Sequence, residues 1–291
     1  MFKHYGYIFS LLLIFSLHLD AKSLLYKLSA NGSTVYIMGS IHLAKPELYP
    51  LDRKITQAYN NSEFLVVEVD PSSQASIVAM QDTMISSGIY PRGKSLETEL
   101  STKTYKALKV YAEKTGIPLE QLEKMKPWVV MLQVTITEMM RLGYLPELGI
   151  DKHFLDKAKL NNKTIIELET AQEQMELLSK DDKTFQDKLL RYTLESMSEL
   201  EPMLDEMFNA WKKGDTKAFN KIMSLPLKAD ASLKDIYADL ITKRNYQMTE
   251  KIENFIRNKK DCFVVVGSGH VVGREGIVAL LRKRGYQLTQ K

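Results

Sequence analysis

Cysteine is almost missing: Cys262 stands alone in 291 residues. One cysteine excludes an intrachain disulfide and any Cys-rich zinc or iron–sulfur centre. Charge of one sign is scarce too. Forty Lys and Arg against 36 Asp and Glu leave a net charge of +4, too small and too evenly spread for a nucleic-acid surface. Past the N-terminal segment, no apolar run approaches the roughly 20 residues that span a bilayer. Low-complexity segments and repeat arrays are absent. What is there, 44% hydrophobic and 26% charged residues, is ordinary globular composition. It excludes disordered, collagen-like and polytopic membrane chains.

Residues 1–22 read as a secretory signal. Lys3 supplies the positive start, the apolar run from Tyr7 to Leu17 follows, and small Ala21 offers a cleavage point before Lys22. The apolar run is short for a stable anchor. The expected product is an exported protein, periplasmic or secreted, with no lasting membrane span, and a single domain over residues 23–291 that is stable without disulfides.

The domain begins with two short apolar runs around Asn31-Gly32, the signature of a β-hairpin. A helix is expected through Ile55 and Ala58, then a buried-type strand, Phe64-Leu65-Val66-Val67, ending in Glu68, Val69 and Asp70 before Pro71. Strand, helix, strand at this spacing is an α/β pattern. From about 96 to 225 the chain turns rich in Leu, Met, Lys and Glu at helical spacing. Trp128, Leu132, Ile136 and Met139 form one stripe, and the methionines between 197 and 223 read as adaptable core filler. A strand candidate at residues 163–170 interrupts this segment. The end returns to α/β: one long helix over 236–260, the strand Cys262-Phe263-Val264-Val265-Val266, and a helix over 276–284 stopped by Gly285. The class predicted is α/β, with a mixed or parallel central sheet and a large helical insertion.

One pattern occurs twice. Val35-Tyr36-Ile37-Met38 runs into Gly39-Ser40-Ile41-His42, and Phe263-Val264-Val265-Val266 into Gly267-Ser268-Gly269-His270. Each is an apolar strand followed by Gly-Ser-x-His, which sets a histidine just past the strand's C-terminal end, the edge where open parallel sheets bind ligands. If the strands are neighbours, His42 and His270 meet. Glu68 closes an apolar strand where packing alone does not explain a charge. Two imidazoles and a carboxylate suit a divalent metal that activates water, or metal-free acid–base chemistry. Of the other histidines, His4 and His18 lie in the signal and His153 reads as structural or rim. Asp70 before Pro71 reads as turn chemistry. Glu169 is either a site carboxylate or a cap for a helix starting near Ala171. Arg244 and Asn245 lie on the helix before the last strand, where Arg244 is either solvated or a clamp for an anionic group.

Together the two Gly-Ser-x-His motifs, Glu68, Lys126-Pro127-Trp128, Gly149-Ile150-Asp151, Leu168-Glu169-Thr170, Arg244-Asn245 and Val272-Gly273 resemble the TraB/GumN superfamily, which includes the Tiki proteases and the PrgY pheromone-shutdown proteins. The resemblance runs from about residue 35 to 286 and implies an α/β core of two related halves. It implies His42, Glu68 and His270 as catalytic and metal-binding set, with manganese or cobalt favoured over zinc. Arg244 joins them as a catalytic or substrate-orienting residue. Asn245, Ser40 and Ser268 follow as substrate contacts, and Glu169 and Asp151 as secondary candidates. The function expected is an exported metal-dependent hydrolase, preferentially a peptidase, acting on a peptide or small molecule. The alternative is a non-catalytic protein that sequesters a peptide or metal complex in the same cleft.

Overall fold

A computed structural model describes residues 23–180, 182–225 and 234–291. The proposed signal lies outside the described residues. Among these residues no helix is long and apolar enough to cross a membrane.

Six strands form one mixed sheet: β1 (Leu25–Ala30), β2 (Ser33–Ser40), β3 (Phe64–Val67), β4 (Ile165–Glu167), β5 (Cys262–Gly267) and β6 (Leu288–Gln290), in the order β4-β3-β5-β2-β1-β6. The expected hairpin is β1 and β2. Asn31 and Gly32 both take positive φ, 55° and 80°, as a two-residue turn between right-twisted strands requires. β2, β5, β3 and β4 run parallel. β6 is an antiparallel strand on the far edge, too short to carry a readable pattern.

Among the described residues, eleven α-helices of seven residues or more position the rest: α1 (Arg53–Asn60), α2 (Gln74–Ser87), α3 (Thr102–Thr115), α4 (Pro127–Arg141), α5 (Ile150–Leu160), α6 (Ala171–Leu178), α7 (Lys183–Glu195), α8 (Leu200–Lys212), α9 (Thr216–Met223), α10 (Lys243–Arg257) and α11 (Ile277–Lys283). Side chains alternate across a strand, so each inner strand feeds two cores. Met38, Leu65, Val67, Phe263 and Val265 pack with residues of α1, α5, α8 and α9. Val35, Ile37, Val66, Val264 and Val266 pack on the other face with Met248, Ile252 and Ile256 of α10 and Val278 and Leu281 of α11. The methionines Met197, Met203, Met207 and Met223 pack against the first core as filler.

The helical segment is less uniform than its composition. A third cluster, with Leu108, Tyr111, Val130, Val134, Leu190 and Leu194, gives α3, α4 and α7 a core of their own. By contrast α5, β4, α8 and α9 lie within the same span yet build the sheet and its flank. The expected α4 stripe is also displaced. Its buried face carries Trp128, Val130 and Val134, while Ile136 is 41% exposed. Apolar residues lie all round α4, and periodicity alone cannot choose between its faces.

The long helix expected over 236–260 is interrupted. Residues 238–242 form a π-helical turn, closed by the Lys243 N–H on the Ala238 carbonyl, before α10 begins. π-Turns recur beside functional sites, and Arg244 is the second residue of α10.

Candidate functional site

β2 and β5 pair in parallel with Gly39 opposite Val266 and Ser40 opposite Gly267. The two Gly-Ser-x-His motifs are therefore neighbours, staggered by one residue. A methyl carbon placed on Gly267 would lie 3.5 Å from His42 Nε2, 3.6 Å from His270 Cδ2 and 3.2 Å from Glu68 Oε1. Both rings and the carboxylate converge on one point above the end of β5, and only a glycine leaves it open. Gly39 is different: the space its side chain would need is filled by Ser268 and Leu24.

Each imidazole is held from behind. Asp151 Oδ2 accepts from His42 Nδ1 at 2.8 Å, and its Oδ1 accepts from the Ser40 hydroxyl at 2.7 Å. The chain around Asp151 explains itself locally. The Ile150 N–H donates to the Ile41 carbonyl at 3.0 Å, and Gly149 has no side chain because one would run into the His42 carbonyl. Asn245 Oδ1 accepts from His270 Nδ1 at 2.7 Å while Asn245 Nδ2 donates to the Glu275 carbonyl. Both partners act as acceptors, so both Nδ1 atoms carry hydrogen; His42 turns its Nε2 to the open point, while His270 presents its Cδ2 edge there and has its Nε2 3.9 Å from Glu68 Oε2. Ser268 donates to the Ser40 carbonyl, and the Trp211 indole of α8 donates to the Gly39 carbonyl at 2.7 Å.

The two rings differ in environment. His42 has its side chain 63% exposed into a cleft, His270 only 6%. The Asp151 carboxylate raises the His42 pKa to about 9, against the opposing effect of desolvation. Burial lowers that of His270, despite Glu68 beside it. Desolvation would raise the Asp151 pKa, but His42 and Ser40 outweigh it and hold it low. Two groups of one kind with pKa values pushed apart are suited to divide acid and base roles.

Glu68 lies one residue past β3. Beyond the strands the pairing continues, with the Glu169 N–H on the Glu68 carbonyl at 2.9 Å, so the two glutamates adjoin. Glu68 Oε1 accepts the Gly267 N–H at 2.5 Å, and Oε2 accepts from Arg244 Nη2 at 2.7 Å and Gln174 at 3.3 Å. Burial would raise the Glu169 pKa, but Arg244 holds it down. Burial opposes charge on Arg244 as well, and the two glutamates overcome it and raise its pKa. Three Arg244 nitrogens are committed: Nε and Nη2 to the glutamates, and Nη1 to the Leu240 carbonyl. Arg244 is thus placed to hold Glu68, where the sequence suggested a clamp on substrate.

His42, Glu68, Asp151, Arg244 and His270 line one cleft of about 650 Å³. Ser40, Ser268 and Asn245, expected as substrate contacts, are buried behind it and engaged with protein partners. Glu169 is not the helix cap. Thr170 caps α6 with Glu173 closing the box, which leaves Glu169 to Arg244. Asp70 accepts from the Ser72 N–H and hydroxyl, as turn chemistry, and also pairs with Lys159 of α5 at 2.8 Å. His153 packs between Tyr49 and Phe154, away from the cleft lining. Gln174, which touches both glutamates, was not expected from sequence. Its only signal is its position directly after the Thr170–Glu173 capping box.

Among the described residues, no three His, Cys, Asp or Glu side chains form a ready metal-ligand group. The donor chemistry nonetheless fits a divalent cation at two positions. Two imidazoles border an open cradle, His42 through Nε2 and His270 through the Cδ2 beside its Nε2, each ring backed by an oxygen acceptor, the usual support of metal-bound histidine. Glu68 fits less well as a ligand, because Gly267 N–H and Arg244 already engage it.

Residues 24–290 match the model of the TraB/PrgY/gumN family. The chain is 27% identical over 248 residues to an uncharacterized protein, YbaP, of Escherichia coli, covering 85% of this chain and 87% of YbaP. It is 24% identical over 312 residues to a protein of Nematostella vectensis named metalloprotease TIKI homolog, covering 87% of this chain and 64% of that one. An uncharacterized Treponema pallidum protein is 19% identical, covering 89% of this chain and 80% of its own length. No solved structure is a significant match.

Proposed function

The chain belongs to the TraB/PrgY/gumN family, and from that premise we propose that it is a metal-dependent hydrolase, a peptidase by preference, working in the cleft around Gly267. The observation that carries this reading is the convergence of His42, His270 and Glu68 on the one point that Gly267 leaves open. The name of the Nematostella relative supports the class. Manganese or cobalt is the proposed metal, and export is part of the reading, supported by the apolar run near the N-terminus.

A divalent cation held by His42 Nε2 and His270 Nε2 would supply Lewis acidity toward a substrate carbonyl. The chain's own groups do the rest. Glu68 Oε1 keeps a lone pair toward the open point and is placed to accept a proton from an attacking water. Arg244 and Gln174 fix the Glu68 carboxylate in that orientation. Asp151 and Asn245 fix the two rings. Having taken that proton, Glu68 is the group that would return it to the departing amine.

The test is metal content of the purified protein, then peptide turnover with Mn²⁺, Co²⁺ and Zn²⁺ added separately. His42→Ala and His270→Ala should each lose metal and turnover. Full turnover in a chelated wild type removes the metal from the reading. Tight peptide binding without any cleavage leaves the sequestering alternative.

A further inference from the structure

The cleft has two unlike ends. One carries His42, Glu68, Arg244 and His270; the other is walled by apolar side chains of α2, α5 and α6. α6 joins them. Gln174 reaches Glu68, and Leu178, four residues on, lies on the same helix face one turn away, about 5–6 Å. Met175 lines the cleft beside them, together with Leu155 of α5 and Met80 of α2. Met84, one turn past Met80, continues that face outward and is 37% exposed. Lys152 and Asp156, the charges at this end, pair with each other at 2.6 Å. No unpaired charge among the lining residues of this end awaits a charged ligand group, and burying one there is costly.

We infer that the cleft selects a peptide with a bulky, uncharged apolar side chain beside the bond presented to His42 and His270, seated between Met80, Leu155, Met175 and Leu178. The inference rests on the peptidase reading and names its substrate class. Residues of an extended peptide advance about 3.3 Å each, so the helical turn from Gln174, which touches Glu68, to Leu178 spans one or two peptide residues and matches the residue flanking that bond or the next. Two of the four wall residues are methionines, whose flexible thioethers adapt to different shapes. The subsite therefore accepts Leu, Met and Phe alike and rejects Asp and Lys.

The experiment uses the full protein and capped fluorescent hexapeptides varied one position at a time through Leu, Met, Phe, Ala, Asp and Lys. Binding is read by anisotropy and cleavage of the same peptides by mass spectrometry. At one position, Leu, Met and Phe should bind about 10- to 100-fold tighter than Asp or Lys. Leu178→Asp should abolish that preference and Leu178→Ala reduce it. Ile85→Asp, on an α2 side chain that is 75% exposed, should leave it intact. Preference without cleavage supports the apolar subsite and overturns the hydrolase reading. Cleavage without preference does the reverse. No binding of any peptide, or a preference that survives Leu178→Asp in a folded variant, overturns the inference.

Discussion

Glu169 grips Arg244 through both carboxylate oxygens, Nε to Oε1 at 2.8 Å and Nη2 to Oε2 at 2.6 Å, while the same Nη2 reaches Glu68. Arg244 is thus held between two largely buried carboxylates. Removing it leaves them facing each other without their shared cation. Arg244→Ala should cost about 3–5 kcal/mol in urea unfolding. Glu169→Gln keeps an acceptor and leaves Glu68 as a partner, so about 1–3 kcal/mol is expected. Equal costs for the two variants would argue against Arg244 as the shared counter-ion.

The two motif glycines should separate by assay. Gly267 has an ordinary φ of −50°, and a methyl there meets nothing closer than 3.2 Å. Gly267→Ala should fold with a stability within about 1 kcal/mol of wild type and lose metal and turnover, because the methyl fills the cradle. A methyl on Gly39 would come within 2.9 Å of Ser268 Oγ and 3.2 Å of its Cα. Gly39→Ala should therefore destabilise by about 1–3 kcal/mol. Thermal melts paired with metal analysis check both.

Glu68→Gln keeps the shape and removes the basicity. Metal content should persist while turnover falls on the order of 10²–10⁴-fold. A parallel loss of metal would make Glu68 a ligand, against its engagement by Gly267 and Arg244. Unchanged turnover would take Glu68 out of the mechanism.

His153 provides a pH-dependent readout away from the cleft. Its burial beside Tyr49 and Phe154, with Lys157 nearby, lowers its pKa below the ordinary 6.5. Below that pH the unfolded chain takes up the proton more readily than the folded one. The contribution of the neutral ring is full above pH 6.5 and is lost as pH falls through the folded pKa. The melting temperature of wild type relative to His153→Phe should drop on going from pH 8 to about pH 5. A constant difference across that range would mean the ring titrates alike in both states.

The strands were readable because β2 and β5 each carry a short apolar run, Val35–Met38 and Cys262–Val266, that a Gly-Ser-x-His motif breaks. Asn31-Gly32 declared its hairpin by turn chemistry alone. Glu68 was legible as a charge closing a buried strand. What the sequence hid depends on helix phase and distant pairing. α4 is apolar on more than one face, so its stripe was misplaced, and Gln174 looks like any polar residue on a short helix. The bond from Asp151 to His42 spans 109 positions and has no local signal. Residues 238–242 contain no glycine or proline to mark a break, and only the backbone shows their wider turn.

Two copies of one motif suggest a symmetric site, yet Ser40, not Gly39, stands opposite Gly267. That single step puts one ring at the mouth of the cleft and buries its twin. The centre therefore has a front and a back, as a left hand differs from a right. A ligand with a direction, such as a polypeptide read from amino to carboxyl end, lies across it one way round.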